Sequence, residues 1–237
     1  MFAKRWEQNR EILSMFDEVI NLKQEKEKSE IVGNMRKKTI GLSWFMEPAI
    51  KSTLDEENFK KKISGNSGEN SVDLSLWLWL PHSYNIFHSV VLNPTNNLFI
   101  QIDHLVVSNS GIFIIETKNW KGYVEGSEEE WRKITKYRGL EIMKNNPYKE
   151  QLFHAKIFKL WCQYNLRNYY GRINSNTFPI IIFEGCSGLK ANGPIPVFKG
   201  TQGALWYILK TGKRNLFSNQ EIFDICKKIK EAKPKEM

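Results

Sequence analysis

An aspartate, a glutamate and a lysine stand where one β-hairpin would bring them together. The segment Gln101-Ile102-Asp103-His104-Leu105-Val106-Val107-Ser108-Asn109-Ser110-Gly111-Ile112-Phe113-Ile114-Ile115-Glu116-Thr117-Lys118 is two apolar runs around a polar turn. With Asn109 and Ser110 as a two-residue turn, Ser108 faces Gly111, Asp103 faces Glu116, and Gln101 faces Lys118. Asn-Ser is not the favoured Asn-Gly pair, so a looser turn that shifts the register by a residue stays open. Directly opposed Cβ atoms lie about 4.5–5.5 Å apart. Strand alternation places Asp103, Glu116 and Lys118 on one face.

Two carboxylates opposed on an apolar sheet repel each other, which costs stability. A divalent cation removes that cost. Mg²⁺ prefers oxygen ligands and keeps several of its waters. It can activate a water and neutralise charge on a phosphoryl group. A neighbouring lysine would orient the attacking water or stabilise the developing charge. The competing arrangement is a Lys–Glu–Asp ion network with no metal. Such a buried network stabilises poorly, which favours the cation.

The surrounding sequence must supply the frame. Residues 1–62 read as helical, with Phe2, Trp6, Ile12, Leu13, Phe16, Val19 and Ile20 at helical spacing and an interruption expected at Gly33. A loop at Ser64-Gly65-Asn66-Ser67-Gly68 marks the expected domain boundary, giving a helical extension over 1–62 and a core over 63–237. Residues 69–80 read as a helix ended by Pro81, and Tyr84–Leu92 as a strand followed by a turn at Asn93–Asn97. After the central hairpin, a second short hairpin is expected between Gly122 and Arg138, around Trp131. Asn146-Pro147 opens a helix running to about Leu166. Phe178–Phe183 reads as a strand, 185–196 as a Gly- and Pro-rich loop, Val197–Phe198 as an edge strand, and Gln202–Leu209 as helix or strand. Ser218 and Glu221 form a capping box for a last helix. The order predicts an α/β fold with a mixed sheet flanked by helices.

Composition narrows the class. The 237 residues are 41% hydrophobic with eight Trp, enough for a sizeable core. The net charge of +9 suits a polyanionic partner, although it equally suits an ordinary solvated surface. Cys162, Cys186 and Cys226 are far apart and odd in number, so neither a zinc-ligand spacing nor a disulfide framework is expected. Free thiols, and an N-terminus with acidic residues in place of a signal peptide, point to the cytoplasm. No apolar run of about 18 residues is present, so no membrane association is expected.

Several segments together resemble a known family. Gly65-Asn66-Ser67-Gly68-Glu69, Gln101-Ile102-Asp103-His104, the run from Gly111 to Gly122, Trp131, and Asn146-Pro147 with Gln151 are similar in order and spacing to the nuclease-related domain, NERD. That family is a branch of the PD-(D/E)XK nuclease superfamily. The match covers about residues 65–185. It implies a restriction-endonuclease-like core that hydrolyses phosphodiester bonds in DNA, less readily RNA, with Mg²⁺ or Mn²⁺. DNA processing or defence against foreign DNA would be its setting. Asp103, Glu116 and the backbone carbonyl of Thr117 would hold the metal, Lys118 would be the catalytic lysine, and Glu69 would reach the metal directly or through water. Gln151 would line the site or touch the nucleic-acid backbone, and Gln101 would support the lysine or the substrate.

Plainer roles compete at each supporting position. Glu69 also suits the first turn of a helix, Gln151 a helix surface, and Gln101 a strand-end hydrogen bond. His104 should point away from Asp103, into the core or a supporting role, and His82, His88 and His154 show no ligand spacing. Trp120 and Trp131 read as packing residues. Two other functions remain open: a nucleic-acid-binding module that keeps the fold without cleaving, and an interaction protein, or homodimer, working through the helices of residues 1–62.

Overall fold

A computed structural model of the chain describes residues 2–38, 68–95, 98–212 and 215–233. The domain boundary expected at 62–63, the charged segment 51–62 and most of the following loop lie outside these residues.

The elements run β1 (Lys4–Trp6), α1 (Arg10–Lys38), α2 (68–79), β2 (Asn85–Thr95), β3 (Leu98–Ser108), β4 (Gly111–Gly126), β5 (Trp131–Thr135), β6 (Gly139–Ile142), α3 (Pro147–Asn165), α4 (Tyr170–Ser175), β7 (Thr177–Ala191), β8 (Val197–Lys199), α5 (Thr201–Lys210) and α6 (Asn219–Lys230). Among the described residues the strands make one eight-stranded mixed sheet, in the order β1 to β6, with β7 on β4 and β8 at the edge of β7. This is the mixed α/β sheet flanked by helices that the sequence predicts.

Alternating residues bury the two faces separately. On one face, Ile112 and Ile114 of β4 pack with Leu105, with Phe158 and Trp161 of α3, and with Ile225 and Ile229 of α6. On the other, Phe113 and Ile115 pack with Val72 and Leu76 of α2 and with Ala204 and Ile208 of α5. A smaller cluster sits around Trp131, which stacks on Phe183 at 5.1 Å and meets Trp120 edge-on at 6.2 Å. Both tryptophans are therefore packing residues, as expected.

β4 positions the site because it changes partners midway. Its first part pairs with β3 in the predicted register, from Ser108↔Gly111 to His104↔Ile115. Its last part, Tyr123 to Gly126, pairs with β5. Between the two, residues 116–122 have no ladder partner on that side, while β7 backs β4 along the other. The two partners splay apart and leave a fork, into which Glu116 and Lys118 project.

Several local readings give way to tertiary pairing. Residues 4–6 are not helical but add a parallel strand beside β2, and α1 begins only at Arg10 and continues through Gly33. β2 runs to Thr95 rather than ending at a turn after Leu92. The second hairpin has a further strand, β6. β7 extends to Ala191, through half of the expected loop, because Gly185 takes φ 72° and Gly188 lies under the Tyr123 ring, where a Cβ would collide. Thr201–Lys210 resolves as helix. The short helix α4 was not anticipated.

Candidate active site

Each polar group of the site has its own structural origin. Glu116 and Lys118 alternate out of β4 with Ile112 and Ile114, so they share the face covered by α3. Asp103 stands on β3 just past the last paired residue, His104. Its Oδ2 accepts the backbone N–H of Thr117 at 2.7 Å, taking the place of a strand carbonyl at the fork. Opposite Asp103, the β2–β3 ladder is interrupted at Ser89, a non-glycine residue with φ 55°. Ser89 Oγ accepts the Gln101 amide at 2.5 Å, so Gln101 satisfies a neighbouring strand rather than facing Lys118.

The lysine is held by two carboxylates. Lys118 Nζ donates to Glu116 Oε1 at 2.5 Å and to Glu150 Oε2 at 2.8 Å. His154 Nδ1 lies 3.3 Å from Glu116 Oε2, close enough for charge attraction but off the line of a hydrogen bond. Both partners come from α3, whose start is the predicted one: Asn146 accepts from the backbone N–H groups of Tyr148 and Lys149, and Pro147 is its first residue. Glu150 is not singled out by the sequence, and His154 is set aside there for want of ligand spacing. The signal was their i, i+4 spacing on a helix following a catalytic-looking strand.

Electrostatics sort the acids. Burial raises the pKa of Asp103 well above the usual value, and the Glu116 and Glu69 carboxylates push it further. Burial also raises Glu69, in the first turn of α2, with His88 opposing and Glu116 adding to the shift. Burial works to raise Glu116 too, but His154 and Lys118 outweigh it and hold this carboxyl below its ordinary range. Burial pulls Lys118 down, yet Glu116 and Glu150 more than reverse that, so its proton is held tightly. The site is thus an ammonium and an ionised glutamate beside two carboxyls that resist ionisation. Glu69 reaches it from the opposite layer, at the mouth of the fork.

Gln151 stands apart from its expected role. It is fully buried and touches no surface from which nucleic acid could be reached. Its Nε2 donates to the carbonyls of Ile114, at 2.5 Å, and Ile180, at 2.9 Å. These two carbonyls belong to neighbouring strands, since Ile114 of β4 pairs beside Ile180 of β7. The side-chain amide is shared between one carbonyl of each strand, so Gln151 clamps β4 to β7 behind the site. His104 is likewise in the core, with burial and then His88 pushing its pKa down to about 3.

The donor set suits a hard divalent cation by its chemistry, although its oxygens do not all lie within 4.8 Å of one another. Asp103, Glu116 and Glu69 offer carboxylate oxygens whose mutual repulsion already appears in the raised Asp103, and a cation among them would relieve it.

Among the described residues, no helix is long and apolar enough to cross a membrane. The chain is 33% identical over 98 residues to an uncharacterized protein of Bacillus anthracis, an alignment spanning 41% of this chain and 46% of that protein. It therefore spans less than half the length of this relative. No solved structure matches it. The family model for the nuclease-related domain matches residues 64–183, from just before α2 to the β7 residue that backs Lys118. That is half of the chain and holds all four proposed catalytic residues, and on this ground the protein belongs to the nuclease-related domain (NERD) family.

Proposed function

We propose that the protein is a metal-dependent nuclease that hydrolyses phosphodiester bonds in DNA, and RNA less readily. The observation that carries this is the convergence of Glu69, Asp103 and Glu116 on a fork in the sheet beside a firmly protonated Lys118. Asp103, Glu116 and the Thr117 carbonyl, with Glu69 in support, would hold Mg²⁺ or Mn²⁺. When bound, such a cation supplies Lewis-acid neutralisation of phosphoryl charge and a more acidic water.

The chain's own residues then divide the remaining work. Lys118 keeps its proton, so it acts as a donor and a positive charge rather than as a base. Its ammonium would hold the attacking water or a phosphoryl oxygen, with Glu150 and Glu116 fixing its direction. His154 keeps Glu116 in place from α3. Glu69, with its raised proton affinity, is suited to accept a proton as the water attacks. The net charge of +9 favours a polyanionic substrate. DNA processing or defence against foreign DNA is the proposed setting.

A second reading, a binding module without cleavage, draws support from the double engagement of Lys118 by Glu116 and Glu150. One assay separates the two. Plasmid and linear DNA are incubated with Mg²⁺, Mn²⁺ or EDTA, comparing wild type with Glu116→Ala and Lys118→Ala. Metal-dependent cutting lost in both variants, with DNA affinity retained by Lys118→Ala, is the expected outcome. DNA binding with no cutting by wild type in either metal would replace the nuclease with the binding module.

A further inference from the structure

On the far side of the sheet from Lys118, three side chains converge that the nuclease reading does not use. Asp73 of α2, His88 of β2 and His104 of β3 each place one ligand atom within 4.8 Å of the others. His88 and His104 are direct cross-strand partners, so the ladder itself sets the rings side by side. Their Nδ1 atoms are 3.4 Å apart. Two nitrogens held at about 2.0–2.1 Å by a tetrahedral zinc lie about 3.3–3.4 Å apart.

The environment suits an ion better than a hydrogen bond. Two Nδ1 atoms bond each other only if one ring carries its proton there and the other does not. The His104 ring is completely buried and its Nε2 makes no hydrogen bond among the described residues, so the ring's proton can rest on Nε2 and leave Nδ1 a free lone pair aimed at His88 and Asp73. The Asp73 carboxylate is already oriented, because Arg5 donates to its Oδ2 at 2.7 Å and lies over the Trp77 ring at 4.7 Å. A ligating carboxylate held by an outer hydrogen bond is the usual arrangement around metals. His88 is exposed, which gives solvent access to a fourth position.

We propose that Asp73, His88 and His104 form a second metal site, selective for Zn²⁺ or a similar imidazole-preferring divalent ion over Mg²⁺. Two imidazoles and one carboxylate are borderline ligands, whereas the acids at the fork are hard oxygen donors. Asp73 is one helical turn beyond Glu69, and His104 adjoins Asp103. The ion therefore ties α2 to the β2–β3 hairpin and fixes the spacing of two of the three carboxylates at the fork. The proposal does not depend on whether the protein cleaves nucleic acid.

The test is metal binding by the full chain. Metal-free protein is titrated with Zn²⁺ and with Co²⁺ in the presence of excess Mg²⁺, comparing wild type, His88→Ala, Arg5→Met and Glu116→Ala. One equivalent of Zn²⁺ is expected in wild type and in Glu116→Ala. His88→Ala should bind at least about 100-fold more weakly and Arg5→Met about 10-fold, since loss of even a supporting group costs about 10–100-fold. The Co²⁺ spectrum of the wild type needs no variant: two strongly shifted imidazole N–H proton signals are expected. Absence of a bound equivalent in wild type, Co²⁺ without those signals, or binding lost in Glu116→Ala but kept in His88→Ala, would overturn the assignment.

Discussion

Gln151→Ala offers a direct way to separate support from chemistry. The native amide gives its two protons to the carbonyls of Ile114 and Ile180, in a position with no solvent access. Each such bond is worth about 0.5–1.5 kcal/mol net. With two such bonds lost and a small buried cavity left, the loss amounts to roughly 2–5 kcal/mol. The lower half of that range applies, because Gln151 Oε1 is itself buried without a partner and its removal relieves that cost. Even so, it is a large share of the roughly 5–15 kcal/mol that holds a typical domain together. Equilibrium urea unfolding, followed by tryptophan fluorescence, reads the change. Gln151→Leu should keep most of the loss, since it refills the volume and restores no donor. A change below about 0.5 kcal/mol in both variants, or weaker DNA binding at unchanged stability, would refute the clamp and restore a contact with substrate.

Two further perturbations probe the electrostatics. Asp103→Asn should raise the unfolding midpoint in EDTA, because it removes a carboxyl whose ionised form is disfavoured by burial and by Glu116 and Glu69. Since the folded pKa is raised, the gain is absent below the ordinary value of 3.8 and grows as pH rises through the folded value, while stabilisation by Mg²⁺ is lost; a less stable variant in EDTA at neutral pH would contradict this. Arg172→Met should weaken the α4–α6 contact, where the guanidinium beside Glu221 holds that carboxyl down at about 2. The folded pKa is depressed here, so the difference from wild type in thermal unfolding is full above 4.5 and fades as pH falls toward about 2, and a gap that ignores pH would overturn the assignment.

The legible parts of this protein are those whose signals are local. The Ser108↔Gly111 register follows from turn length and alternation, and the Asn146 cap and the Ser218–Glu221 box are written within four residues. The proposed carboxylates and lysine could be named because a polar triad on an apolar hairpin is conspicuous. β1 was not legible, because three residues paired in parallel with a strand about 80 positions away leave no periodic trace, and Phe2 and Trp6 mimic a helical spacing. The far half of β7 was hidden by glycines that mark loops in isolation but here admit the Tyr123 ring. Glu150 and His154 emerge only once α3 is laid across β4. Gln151 sits among them and faces inward, toward carbonyls of two strands far apart in the sequence, Ile114 and Ile180.

The strand that carries the candidate catalytic residues is also the one most dependent on a late arrival. β3 precedes β4 in the chain and covers one edge at once, but β7 starts at Thr177 and must return across α3 and α4 to cover the other. Until it does, Ile112–Ile115 present an apolar row with bare backbone donors and acceptors, the kind of edge that recruits other chains. A nascent or truncated chain ending before Thr177 therefore carries a sticky β-edge beside its unfinished site. Phe183, the partner of Lys118 and the last residue of the family match, marks the shortest piece in which that edge is closed from Ile112 as far as Lys118.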